Sequence, residues 1–170
     1  MQEFVVLVNE EDQNLGLMEK MEAHEKGLLH RAFSVLVMNS NGEMLLQKRA
    51  LSKYHCGGLW TNACCSHPRE NESLQDAATR RLQEELGAVY PVKKLYSFIY
   101  KAKLDHGLTE HELDHVFLAE TDELPTQFNP DEVAEVKWMQ LNELEQSMHQ
   151  NPELYTPWFR IVFPKFKASL

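Results

Sequence analysis

Short β-prone runs separated by turn residues dominate the chain, with a few helical stretches set among them. Phe4 to Val8 is one such run and Ala32 to Met38 another. Asn39-Ser40-Asn41-Gly42 then gives a turn into Glu43 to Lys48, which is a hairpin signal. Trp60 to Ser66 reads as a short strand that leads into a helix. Leu95 to Leu104 and Glu112 to Ala119 flank Asp105-His106-Gly107, a second hairpin signal, and Glu135 to Met139 is a further strand. The best-defined helix starts at Ser73, a side chain suited to an N-cap, with Asp76 three residues on. Leu74, Ala77, Ala78 and Leu82 keep helical spacing, and Gly87 supplies the stop. Leu141 to Gln150 reads as a helix, and Pro157 to Phe166 as a shorter aromatic-rich one, interrupted or kinked at Pro164. No repeat, low-complexity tract or Pro/Gly/Ser-rich linker divides the chain, so residues 1–170 are expected to form one domain. Hairpins around a few helices point to an α/β sandwich with a mixed sheet.

Composition narrows the function more than the fold. Hydrophobic residues make up 43%, enough for a real core in a chain of 170 residues. The net charge of −9 opposes non-specific nucleic-acid binding, which needs a field of Lys and Arg to displace counterions. A few converging basic residues could still hold a small anion. The start, Met1-Gln2-Glu3-Phe4-Val5-Val6, lacks the basic segment and apolar run of a signal peptide, and no stretch reaches the roughly 18 apolar residues that span a bilayer. A cytoplasmic protein with no membrane partner is expected; oligomeric state stays open. The three cysteines, Cys56, Cys64 and Cys65, include no C-x-x-C pair, which makes a disulfide framework or a zinc ribbon improbable. Strand alternation sends Cys64 and Cys65 to opposite faces, so at most one of them faces a given pocket.

The helix after Ser73 carries Arg80-Arg81-Leu82-Gln83-Glu84-Glu85-Leu86-Gly87, with Arg80 and Glu84, and Arg81 and Glu85, four apart on shared faces. From Ser66 to Ala88 the spacing follows the Nudix box, G-x5-E-x7-R-E-U-x-E-E-x-G-U, with Glu72, Arg80, Leu82, Glu84, Glu85 and Gly87 in register. Ser66 stands where the box has its first Gly. Arg81 stands where the box has a metal-binding Glu, so charge opposes a hydrolytic metal cluster there while favouring a substrate phosphate. Elsewhere, Cys65 and His67 share one strand face, as do Glu110 and Glu112, and His24 and His30 lie on an early segment. Three imidazoles and two carboxylates form an N/O set suited to a divalent transition metal.

Lys20-x3-His24, Leu29-His30-Arg31-Ala32-Phe33-Ser34, Arg49-Ala50-Leu51-Ser52-Lys53, Trp60-Thr61-Asn62, Cys65-Ser66-His67-Pro68 and Glu84-Glu85-Leu86-Gly87 together resemble the type 1 isopentenyl diphosphate isomerases, and Tyr100, Glu110-x-Glu112 and Trp158 continue the match. The resemblance runs from about Lys20 to Trp158. It implies a Nudix-like α/β/α sandwich that converts isopentenyl diphosphate, a small diphosphate, to dimethylallyl diphosphate. It implies that His24, His30, His67, Glu110 and Glu112 hold a Mn2+- or Zn2+-like ion, and that Glu85 with the Cys65 backbone meets Mg2+ on the diphosphate. Lys20, Arg49, Lys53 and Arg81 would contact the diphosphate oxygens. Cys65 and Glu112 would transfer protons, with Tyr100 and Trp158 beside the hydrocarbon. An alkene is a very weak base, so such a reaction needs a strong acid in a dry pocket, and an indole face can stabilise a carbocation without trapping it. Trp60 and Trp138 are expected in the core, and Cys64 has no assigned part.

Overall fold

The computed structural model describes residues 2–53 and 55–170. Among these, nine strands form one mixed sheet with helices on both faces. The strands are β1 (Phe4–Val8), β2 (Asn14–Glu19), β3 (His30–Met38), β4 (Glu43–Arg49), β5 (Trp60–Thr61), β6 (Cys64–Ser66), β7 (Lys93–Lys103), β8 (Thr109–Glu120) and β9 (Val133–Gln140). The helices are α1 (Lys20–Lys26), α2 (Leu74–Leu86), α3 (Leu141–Gln150) and α4 (Pro157–Ala168).

β3 organises the sheet. It runs parallel to β8 over its whole length, from His30 opposite Glu112 to Met38 opposite Glu120. It also pairs antiparallel with β6, which places Ser34 opposite Cys65. β7 and β8 form the long hairpin expected from Asp105-His106-Gly107, whose turn takes positive φ at His106 and Gly107. β9 pairs with β4. Two apolar layers follow. On one face α2 packs Ala77, Ala78, Leu82 and Leu86 against Val35, Val37 and Phe117. On the other, α3 and α4 pack Leu144, Phe159, Val162 and Phe163 against Leu36, Leu46 and Val116. This is the expected α/β/α sandwich.

The local signals act as their chemistry requires. Ser73 accepts a hydrogen bond from the Asp76 amide at 3.1 Å and caps α2. Gly87 ends α2 in the left-handed region, at φ +63°, and its amide bonds back to the Gln83 carbonyl. A side chain there would also collide with the Gln127 carbonyl oxygen, 2.2 Å from an ideal Cβ.

Four expectations need correction. The run Trp60 to Ser66 is two short strands broken at Asn62-Ala63, and the helix begins only at Leu74, because Pro68 and the polar stretch after it form a loop first. α4 continues through Pro164 to Ala168. Trp60 and Trp138 are half-buried at the margins of the two layers; Lys137 Nζ lies 4.1 Å from the Trp60 ring centroid. β2 and α1 were not anticipated. β2 is a largely exposed edge strand, and α1 is a polar helix held by a Glu19 cap at one end and Gly27 at the other. No described helix is long and apolar enough to cross a membrane.

Candidate active site

α1 and the paired starts of β3 and β8 bring three elements to one edge of the sheet. His24 lies on α1, His30 opens β3 and Glu112 is its direct partner on β8. His67 follows β6 and closes the group. Ligand atoms of His24, His30, His67 and Glu112 all lie within 4.8 Å of one another, and those of His24, His55 and Glu110 meet the same limit. Glu112 Oε2 lies 3.1 Å from His30 Nε2 and 2.9 Å from His67 Nε2. The Tyr100 hydroxyl lies 2.8 Å from Glu112 Oε1 and within hydrogen-bond reach of Glu110, so its single proton serves one of them at a time.

These residues suit a bound cation. His24 Nδ1 faces the Lys20 carbonyl at 2.7 Å and His30 Nδ1 the Leu28 carbonyl at 2.9 Å. A neutral ring so anchored presents the Nε2 lone pair to the cluster. His24 Nε2 is buried without a hydrogen-bond partner among the described residues. Lone pairs and carboxylate oxygens therefore converge with too few protons between them, an arrangement that a divalent ion satisfies.

Electrostatics separates the two glutamates. Burial raises the Glu110 carboxyl well above the usual range, and the neighbouring Glu112 charge adds to this. Burial would also raise Glu112, but its close contacts with His30 and His67 outweigh this and hold it below the usual range. Burial keeps His67 neutral, lowered to about 4 against the pull of Glu112. The two neighbouring carboxyls are thus shifted in opposite directions.

A cleft of about 610 Å³ opens over this cluster. Cys65, His67, Glu110, Glu112 and Trp158 line it together with Lys20, Arg49, Lys53, Arg81 and Glu85. Five of its cations are engaged within the protein. Lys20 pairs with Glu3 at 2.5 Å, and Lys53 with Glu132 at 2.5 Å. Arg81 lies 3.4–3.5 Å from Glu84, Glu85 and Glu132, and its Nε has no hydrogen-bond partner among the described residues. The Arg49 guanidinium donates to the His55 carbonyl at 3.2 Å and sits 5.1 Å from the Trp158 ring centroid. Arg80 instead grips Glu72, which accepts the Arg69 amide, so these two box residues fix the loop before α2.

The sequence-derived residues therefore gather in one place, with one revision. Tyr100 is buried beneath the glutamates it bonds and does not line the cleft, because its β7 position directly opposes Glu112. Cys64 and Cys65 do face opposite ways. Cys64 is fully buried beside α2, its thiol donating to Glu85 Oε2 at 2.9 Å. Sequence reasoning missed His55 and Glu132, since neither sits in a periodic or paired pattern. His55 is buried in edge contact with Trp158, 5.5 Å between ring centroids, and is lowered to about 3 by burial and by Arg49.

Comparison with known proteins places this geometry. The NUDIX domain profile matches residues 28–159. An isopentenyl-diphosphate Delta-isomerase 2 of Aromatoleum aromaticum is 49% identical over 93% of this chain and 83% of its own. The chain belongs to the isopentenyl-diphosphate Delta-isomerase family. A further isopentenyl-diphosphate Delta-isomerase, from Pectobacterium atrosepticum, is 48% identical over 95% of this chain and 89% of its own. A crystal structure of a Deinococcus radiodurans protein superposes with a TM-score of 0.79 at 19% identity, covering 96% of this chain and 98% of that one, a likeness of fold alone.

Proposed function

We infer that this chain interconverts isopentenyl diphosphate and dimethylallyl diphosphate, supplying isoprenoid synthesis. The observation that carries the reading is the facing of two chemistries in one cleft. Cys65 and the buried Glu110/Glu112 pair line it, and so do Lys20, Arg49, Lys53 and Arg81.

The four cations orient the diphosphate and leave the hydrocarbon to reach inward. A proton adds to the terminal alkene carbon, and another leaves the neighbouring allylic carbon, so the double bond moves with no net change in composition. Cys65 and Glu112 are the proton-transfer pair, and reversing the reaction exchanges their roles. Tyr100 acts from below, fixing both glutamates through its hydroxyl. Trp158, 2% exposed, offers an apolar π surface to developing positive charge and no atom that would trap it. His24, His30, His67, Glu110 and Glu112 would hold a Mn2+ or Zn2+ ion, and Glu85 with the Cys65 backbone a Mg2+ ion that shares the diphosphate charge. A divalent cation supplies acidity to a bound carboxyl or water and offsets the desolvation of the anion.

The test is incubation with isopentenyl diphosphate and Mg2+ in deuterated water. Proton NMR is expected to show dimethylallyl product carrying solvent deuterium. Release of phosphate or pyrophosphate from nucleoside diphosphate derivatives, without isomerisation, would falsify the reading.

A further inference from the structure

Behind Cys65 lies a polar group that the reaction as described does not use. β6 pairs with β3 so that Cys65 and Ser34 are cross-strand partners, and their Sγ and Oγ atoms are 3.3 Å apart. Ser34 Oγ in turn donates to Asp114 Oδ2 at 2.7 Å. Ser34 is 1% exposed and Asp114 0%. Asp114 is the third member of an alternating row on β8, after Glu110 and Glu112. The first two line the cleft; Asp114 lies behind Cys65 and does not.

A carboxyl in this position is expensive for the fold. Its Oδ1 has no partner among the described residues, and burying a polar atom without one is destabilising. A well-packed apolar pair would fill the same space at less cost. The hydroxyl–carboxyl pair is thus poorly explained by stability alone. What it does touch is the sulfur.

The other side of the sulfur is also fixed. The Asn62 side-chain amide donates through Nδ2 to the Val35 and Cys64 carbonyls, which turns Oδ1 towards Cys65, 3.2 Å from Sγ. Because the Ser34 proton goes to Asp114, the single thiol proton is shared between the Asn62 oxygen on one side and the Ser34 oxygen on the other. The rotation of the thiol about Cα–Cβ is set by them, and so is the direction in which the sulfur meets the cleft.

We propose that Ser34 and Asp114 are positioning residues for Cys65: the carboxyl holds the hydroxyl, and the hydroxyl holds the thiol in the orientation needed for proton transfer. The proposal rests on Cys65 being a proton-transfer group, as inferred above. One neutral hydrogen bond lost from a positioned group corresponds to about a 10-fold fall in kcat.

The experiment uses the full chain with its metals. Ser34→Ala is expected to lower kcat about 10-fold, with KM and bound metal unchanged, and Ser34→Thr to restore most of it. Asp114→Asn keeps the size of the side chain and is expected to lower kcat in the same direction, which covers the case of an Ala variant that does not fold. A spectroscopic readout stands apart from turnover. The S–H stretching band of Cys65, isolated as the infrared difference between wild type and Cys65→Ser, is expected to shift in Ser34→Ala. A Ser34→Ala protein with the wild-type band and wild-type kcat overturns the proposal. If Cys65→Ser itself turns over like wild type, the catalytic reading of Cys65 fails instead, and the two failures are distinct.

Discussion

Replacing Trp158 tests the stabilisation of positive charge most directly. The indole is 2% exposed and belongs to the layer beneath α4, so any smaller side chain leaves a void and lowers stability; Leu refills part of the space and should cost about 2 kcal/mol. Two further effects arise from its neighbours. A desolvated cation–π contact with the hydrocarbon is worth about 2 kcal/mol, roughly 30-fold in rate. The Arg49 guanidinium, 5.1 Å from the ring centroid, also loses a stacking partner and is then held mainly by the His55 carbonyl. Trp158→Phe keeps a weaker π face and should retain substantial kcat. Trp158→Leu should lose roughly 30-fold in kcat and raise KM a few-fold through Arg49. Both constants and the melting temperature are to be measured on the same preparations. A Leu variant that melts lower yet turns over like the Phe variant would mean that the ring only fills the core.

Three other outcomes are expected. Cys65→Ser should lose at least about 100-fold in turnover, whereas Cys64→Ser, which keeps a donor to Glu85, should remain largely active; equal losses would remove Cys65 from its role. His67→Asn or Glu110→Gln should lower tightly bound transition metal in elemental analysis, while Glu85→Gln should spare it and raise the Mg2+ requirement; loss of that ion in Glu85→Gln would merge the two sites. The metal-free protein should lose stability as pH falls below about 4.5. His24, His55, His67 and His115 are held neutral with lowered values, so their contribution is present above about 6.5 and is lost as pH falls, through about 4 for His67 and about 3 for His55. Glu110 and Asp114 are raised, so their contribution is present in acid and is lost as pH climbs above the usual carboxylate range. Below about pH 4.5 that carboxyl contribution is constant, while His67 and His55 still take up their protons, which sets the sign on the acid side. Urea unfolding that is flat across this range would refute it.

What the sequence reveals depends on what drives each element. α2 is legible from Ser73 to Gly87 because apolar spacing, cap and stop agree. β8 was expected from Glu112 but starts at Thr109, since Glu110 and Glu112 are buried by polar convergence and carry no apolar signal. α1 lacks an apolar stripe and is defined by its caps and by His24. The metal-site and anion-site residues follow from the family resemblance, since the spacing of single histidines and carboxylates does not by itself mark a site. His55 and Glu132 reach the cleft from loops, and their places follow from tertiary packing that no local pattern encodes.

Gly87 shows how far the cost of one substitution can travel. Its missing side chain leaves room for the backbone at Gln127, and two residues later the Asn129 amide bonds the Glu85 carbonyl at 2.9 Å. Asn129 then anchors Glu132 and Val133 through its own carbonyl, and Glu132 pairs with Lys53 and Arg81. An alanine at Gly87 would push this segment outward and carry Glu132 with it. The damage would surface as weakened anion capture as well as a frayed helix end. A screen for inactive variants would therefore score this glycine beside the cleft residues, although it touches neither substrate nor metal.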